Sequence, residues 1–321
     1  MPENNITDVI GDLTPFINEM DNSTKYKPFG KPIASCRLRP CIKKNARNTW
    51  STKTWTGYTS FMGNQIWTDG ENIYCSDASS QWVLDKSTST WNSKSWSGLS
   101  SLYGENIWSD GENVYYSYYS SSSGSSHRVL NKSTSTWSTK TWSGLTSFRG
   151  SYIWTDGENV YYSNTSSSSG TTGNWVLNKS TSTWSTKTWS GLTEIYGDHV
   201  WTDGENVYYS RGSVQHVLNK ATSTWSTKSW SGLTNFFGSE IWTDGENIYY
   251  SYDGSNYVLN KSTSTWSTKT WSGLTNFNGY YIWTDGENIY HSKYNTSTYT
   301  NEHYVLQDRT KTTTNIPICA V

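Results

Sequence analysis

Two sets of residues in this 321-residue chain are of types that could support chemistry. The first is a carboxylate pair that occurs six times, as Asp69/Glu71, Asp110/Glu112, Asp156/Glu158, Asp203/Glu205, Asp244/Glu246 and Asp285/Glu287. The second is five histidines: His127, His199, His216, His291 and His303. Paired carboxylates could hold calcium, and imidazoles could ligate a metal or act as a base. Each carboxylate pair, however, flanks an Asp-Gly step, where carboxylates ordinarily stabilise the turn. No two histidines have metal-ligand spacing, and there is no HExxH, no GxSxG and no glycine-rich phosphate loop. We therefore expect no enzyme activity, no metal and no cofactor.

The elements that hold these residues repeat. The phrase IWTDGEN or a close variant occurs six times, with tryptophans at 67, 108, 154, 201, 242 and 283. A second phrase, TW-x-x-K-x-W, begins at Trp50, Trp91, Trp137, Trp184, Trp225 and Trp266. Both follow the spacings 41, 46, 47, 41 and 41, so they belong to one unit. In the unit at Ile241, strand a is read at 241–243, a tight Asp-Gly turn follows, and strand b is at 248–251. Strand c is read at 257–260, and strand d at 265–271 after a Lys-Ser-Thr-Ser turn. Four strands in 41–47 residues is the size of a propeller blade. The chain is thus predicted to be all-β, a six-bladed β-propeller of four-stranded antiparallel blades over residues 48–321. It enters the repeats on strand d (Thr49 to Trp55) and leaves them on strand c (Tyr304 to Leu306). N- and C-terminal strands would then close the ring in one sheet, with Thr312 to Ile318 as a rival closing strand.

Composition agrees with this reading. Only 33% of residues are hydrophobic, but 20 Trp and 24 Tyr can build an aromatic core. A net charge of −1 selects no nucleic acid, no apolar run is long enough for membrane insertion, and the N-terminus lacks the layout of a signal peptide. Cys36, Cys41, Cys75 and Cys319 are read as free thiols. A bridge from Cys36 or Cys41 to Cys319 is the alternative if the termini meet.

The run YVLNKSTSTW resembles the second half of a kelch repeat, and IWTDGENIYYS resembles the first half. The likeness recurs across residues 48–308. The kelch family's paired glycines after strand b are absent, with Tyr-Ser or His-Ser in their place, so the chain is kelch-like. Regular Trp-rich repeats of this kind also resemble proteins of bacteriophages and gut bacteria. Kelch-type propellers include a copper oxidase, whose ligands have no matching motif here.

Antiparallel strands send successive connections to alternate faces of the disc. The a–b turn is DGEN throughout and the c–d turn is nearly constant. The b–c loops and d–a connections, on the other face, vary from blade to blade. That variable face is expected to bind a protein or a glycan. The expected contacts are Tyr103, Arg149, Tyr152, Tyr196, His199, Phe237, Glu240, Tyr280 and Tyr281, because exposed aromatics with a few charges suit such sites. Trp67 and its equivalents are read as inter-blade packing. Lys94 and its equivalents are read as guards against edge-to-edge strand pairing.

Residues 1–47 lie outside the repeat. They carry eight basic and five acidic residues, and an apolar stripe from Ile6 to Met20. This N-terminal arm is read either as a segment docking to protein partners in a larger assembly or as a terminus folded back on the propeller. The expected function is a non-enzymatic scaffold, a bacteriophage virion or tail component for attachment or assembly. The alternative is a multivalent glycan-binding lectin. Localisation is expected in the virion if the chain is phage-encoded, and otherwise in the cytoplasm.

Overall fold

A computed structural model of the chain describes residues 48–166, 170–245, 247–295 and 300–307. These form six antiparallel sheets, each with strands in the order a-b-c-d. Blade 3 is representative, with strands Ile153–Thr155, Val160–Asn164, Gly173–Asn178 and Thr183–Thr186. Blade 6 is assembled from both ends of the repeat region. Its strands Ile282–Thr284, Ile289–Asn295 and Thr300–Gln307 are completed by Thr49–Thr52. The register Thr49 with Gln307 through Thr52 with Tyr304 fills the place of strand d. The rival segment Thr312 to Ile318, the arm 1–47, Cys36, Cys41 and Cys319 all lie outside the described residues.

Apolar burial explains why blades form a ring rather than standing alone. The core is divided into six clusters, each lying between two consecutive blades. Between blades 2 and 3, Trp108 from strand a of one blade meets Trp184 from strand d of the next, with ring centroids 6.0 Å apart. Trp142, on the chain that joins the blades, sits 5.5 Å from Trp108 and 5.9 Å from Trp184. Tilted and edge-on pairs of this kind contribute about 0.5–1.5 kcal/mol each beyond area burial. The indole N–H of each strand-a Trp is satisfied within its own blade; Trp154 Nε1 donates to Ser163 Oγ at 2.9 Å.

Strand d is shorter than its sequence suggests. In blade 5 it stops at Thr268, because the chain then turns toward the next blade. In the equivalent stretch after blade 2, Ser143 forms a parallel bridge to Thr183 of blade 3, and Trp184 N–H donates to the Ser143 carbonyl at 2.9 Å. Gly144 follows with φ +81°, and a Cβ there would lie 1.9 Å from the Trp184 carbonyl oxygen. Only glycine fits.

The lysine of the TW-x-x-K-x-W phrase belongs to the same joint, which corrects its reading as an edge guard. Lys140 Nζ lies 4.7 Å from the Trp142 ring centroid and donates to Ser182 Oγ of the next blade at 2.6 Å. The backbone strap, not the lysine, covers the edge of strand d.

Candidate functional site: the two faces of the disc

The constant face is used by the fold itself. In blade 3, Asp156 Oδ1 accepts the backbone N–H groups of Glu158 (2.9 Å) and Asn159 (2.8 Å). Its Oδ2 accepts the Tyr161 hydroxyl at 2.9 Å. The same Asp–Tyr pair recurs as Asp69–Tyr74, Asp110–Tyr115, Asp203–Tyr208, Asp244–Tyr249 and Asp285–Tyr290. Burial and the adjacent carboxylate push the Tyr161 phenol well above its ordinary range. The carboxylate that a calcium site would need is therefore committed to its turn. Among the described residues, no group of three His, Cys, Asp or Glu side chains is placed to hold a metal. Lysines of the c–d turns stitch neighbouring blades on this face. Lys86 Nζ donates to the Asp285 carbonyl at 3.1 Å, and Lys261 to that of Asp203 at 3.3 Å.

The variable face is built differently. Each d–a connection ends in a one-turn 3-10 helix opening on glycine: Gly63–Gln65, Gly104–Asn106, Gly150–Tyr152, Gly197–His199, Gly238–Glu240 and Gly279–Tyr281. Consecutive turns touch, and the sixth touches the first, so they form a closed collar. The contact is backbone to backbone. A Cβ on Gly197 would fall 2.0 Å from the Tyr152 carbonyl oxygen, and one on Gly238 would fall 2.1 Å from that of His199. The collar therefore holds Tyr152, His199, Glu240 and Tyr281 at one equivalent position in four blades.

The nine sequence-derived contacts fall into separate groups on this face. Tyr103 stacks on Tyr118 at 5.6 Å. Arg149 donates from Nε to the Tyr119 carbonyl at 3.0 Å and approaches the Tyr118 ring at 5.8 Å. Tyr152 packs edge-on to Tyr162. Tyr280 and Tyr281 pack edge-on to each other at 5.4 Å. Glu240 is buried (8% exposed), and its Oε2 accepts the Tyr280 N–H at 3.2 Å, so it braces the next turn of the collar.

Tyr196, His199 and Phe237 come together in blade 4, joined by residues that sequence reasoning did not single out. A short strand, Phe236–Phe237, adds to strand b of this blade, pairing Phe237 with Arg211. Arg211 also pairs with Val214 across the b–c hairpin. Val214, Arg211 and Phe237 thus form one cross-strand row. The Arg211 guanidinium stacks 4.3 Å from the Tyr196 ring centroid, and His199 lies 5.6 Å from Phe237. Burial pushes the neighbouring Tyr209 phenol up to about 12, with the Arg211 charge opposing that rise. The exposed large hydrophobic side chains among the described residues are Val214 (43%), Phe237 (38%) and Tyr252 (46%). All three lie on the variable face, in blades 4 and 5. The available signal for Arg211, Val214 and Tyr252 was their position in variable b–c loops.

These features define the chain as a six-bladed β-propeller with a structurally committed face and a variable, collared face. Compared with protein-family models and with curated protein sequences, the chain gives no match. Among the described residues no helix is long and apolar enough to cross a membrane.

Proposed function

We propose that this kelch-like propeller is a non-enzymatic scaffold whose variable face binds a protein or glycan partner. The observation that carries this reading is the exposed row of Val214, Arg211 and Phe237 on the variable face of blade 4, with the exposed Tyr252 on the same face of blade 5. Exposed apolar and aromatic side chains grouped with arginine have the composition of binding hot spots. The exposed apolar side chains favour one partner contact over six equivalent glycan sites, because among the described residues they fall in blades 4 and 5 alone. The basic, apolar-striped arm fits attachment to a larger assembly, and a bacteriophage virion or tail is the assembly we favour. Deleting residues 1–47 tests the arm: the propeller should stay folded but fail to join its particle. Continued incorporation would reject the docking role.

A further inference from the structure

Blade 6 carries histidines at two buried positions, one of which blade 2 shares through His127. The third residue of strand b is Tyr116, Tyr162, Tyr209 and Tyr250 in blades 2 to 5, and His291 in blade 6. His291 is 1% exposed, and neither ring nitrogen has a hydrogen-bond partner among the described residues. Its neighbours are rings: Phe277 at 5.6 Å, Tyr281 at 6.3 Å and Tyr304 at 6.4 Å. The charged or titratable groups acting on it are Lys293 and His303, and both oppose a positive imidazole. Burial, reinforced by these two, holds its pKa down to about 3.

His303, on strand c, ties blade 6 to the chain entering blade 1. Its Nε2 lies 2.8 Å from the Thr59 carbonyl oxygen, its Nδ1 lies 3.0 Å from Ser292 Oγ, and its ring stacks on Phe61 at 4.4 Å. Nε2 must donate to the carbonyl, so in the neutral ring Nδ1 accepts from Ser292. The same Ser292 Oγ accepts from Trp283 Nε1 at 2.9 Å. Donors therefore run in one direction, from Trp283 through Ser292 and His303 to Thr59. A proton on Nδ1 reverses the middle bond and leaves the serine hydrogen without an acceptor. Burial also lowers the His303 pKa, while its bond to Thr59 opposes that fall. Blades 1, 3, 4 and 5 place Gln81, Asn174, Gln215 and Asn256 here, whose amides bond to the next connection without titrating. Blade 2 places His127 here, bonded to the Thr146 carbonyl at 3.0 Å and stacked on Phe148 at 4.4 Å. Among the described residues, only blade 6 adds a second buried histidine and an outer strand from the other end of the repeats.

Both histidines sit in the blade whose outer strand comes from the other end of the repeats. Lys53 N–H, just past that strand, donates to the His303 carbonyl at 2.8 Å. We propose that blade 6 is an acid-sensitive latch: protonation of His291 and His303 frees the closing strand Thr49–Thr52 and parts the ring at blade 6. Because the folded imidazoles are held neutral while a released chain takes up protons near pH 6.5, the latch weakens as pH falls below that value.

The test is amide hydrogen exchange on the full chain at pH 7 and pH 5, corrected for intrinsic rates. Exchange in segments 49–52 and 300–307 is expected to rise at least about tenfold over segments 183–186 and 173–178 of blade 3. The double variant His291→Tyr/His303→Gln, which installs residues already used in other blades, should abolish that rise. Parallel behaviour of blades 3 and 6 in the wild-type chain would overturn the proposal, and so would an unchanged acid response in a folded double variant. The wild-type comparison decides the matter even if the variant does not fold.

Discussion

Lys94 Nζ donates a 2.8 Å hydrogen bond to Ser135 Oγ, 41 residues away in the next blade, while resting 4.6 Å from the Trp96 ring centroid. Equivalent bonds run from Lys53, Lys140, Lys187 and Lys228 to Ser89, Ser182, Ser223 and Ser264. At the seam, Lys269 reaches Asn48 instead. Each of these serines has φ between +52° and +56°, a conformation that costs a non-glycine residue energy. Lys94→Met should therefore keep the packing but lose the cation–π contact and the bond, at about 1–2 kcal/mol. A double-mutant cycle with Ser135→Ala, read by urea unfolding, should give a coupling of about 0.5–1.5 kcal/mol. Additive effects would remove the clamp.

Two glycines with positive φ should respond very differently to alanine. A Cβ on Gly144 would meet the Trp184 carbonyl oxygen at 1.9 Å, whereas one on Gly111 (φ +96°) meets nothing within 4 Å. Gly111→Ala should cost only backbone strain, roughly 1–2 kcal/mol. Gly144→Ala should cost more than roughly 3 kcal/mol, because two backbones must separate. Thermal melts of the two variants provide the comparison.

The buried Asp–Tyr pairs predict an alkaline transition. Burial and then the neighbouring Asp raise the phenol pKa of Tyr74, Tyr115, Tyr161, Tyr208 and Tyr290. The folded state therefore keeps protons that the unfolded chain releases near pH 10, and stability falls as pH rises beyond that point. Ultraviolet titration should show these tyrosines ionising together with unfolding. Asp156→Ala should destabilise by about 2–3 kcal/mol through the two orphaned N–H groups. Chelator and added calcium should leave the melting temperature of the wild-type chain unchanged.

Ring closure rests on a four-residue strand in which Trp50 is buried against Trp242, Trp271 and Phe277. Removing residues 1–47 should leave melting behaviour intact. Extending the deletion through Lys53 strips blade 6 of its outer strand and its clamp. That protein should melt at a lower temperature and expand in solution scattering.

The number of blades and the strand order were legible because the Trp phrases recur with fixed spacing, whereas the choice of closing strand needed the pairing of Thr49–Thr52 with residues 304–307. The joints were not. TWSTKTW reads as one strand, yet Lys269 and Trp271 have left the sheet to serve the next blade, and alternation along the sequence cannot show that change of partner. Strand c of blade 5 begins at Ser255 rather than Tyr257, because Asn256 is a polar strand residue whose Nδ2 bonds to the Thr275 carbonyl at 3.0 Å. The collar escaped notice because a single glycine before two variable residues looks like any loop. On the candidate face, variability pointed to Tyr196, His199 and Phe237. Arg211 joins them only through the pairing of Phe237 with strand b, a non-local contact.

The binding role of the variable face is tested most directly by a paired-face comparison. The full chain, a Val214→Ser/Phe237→Ser/Tyr252→Ser variant, and a Glu112→Gln/Glu158→Gln/Glu205→Gln variant would be applied to a glycan array and to immobilised bacterial cell envelopes. We expect the wild-type chain to bind at least one surface, the first variant to lose about tenfold or more in affinity, and the second to bind like the wild type. Binding that survives the first variant and disappears with the second would place the partner on the opposite face and contradict the account.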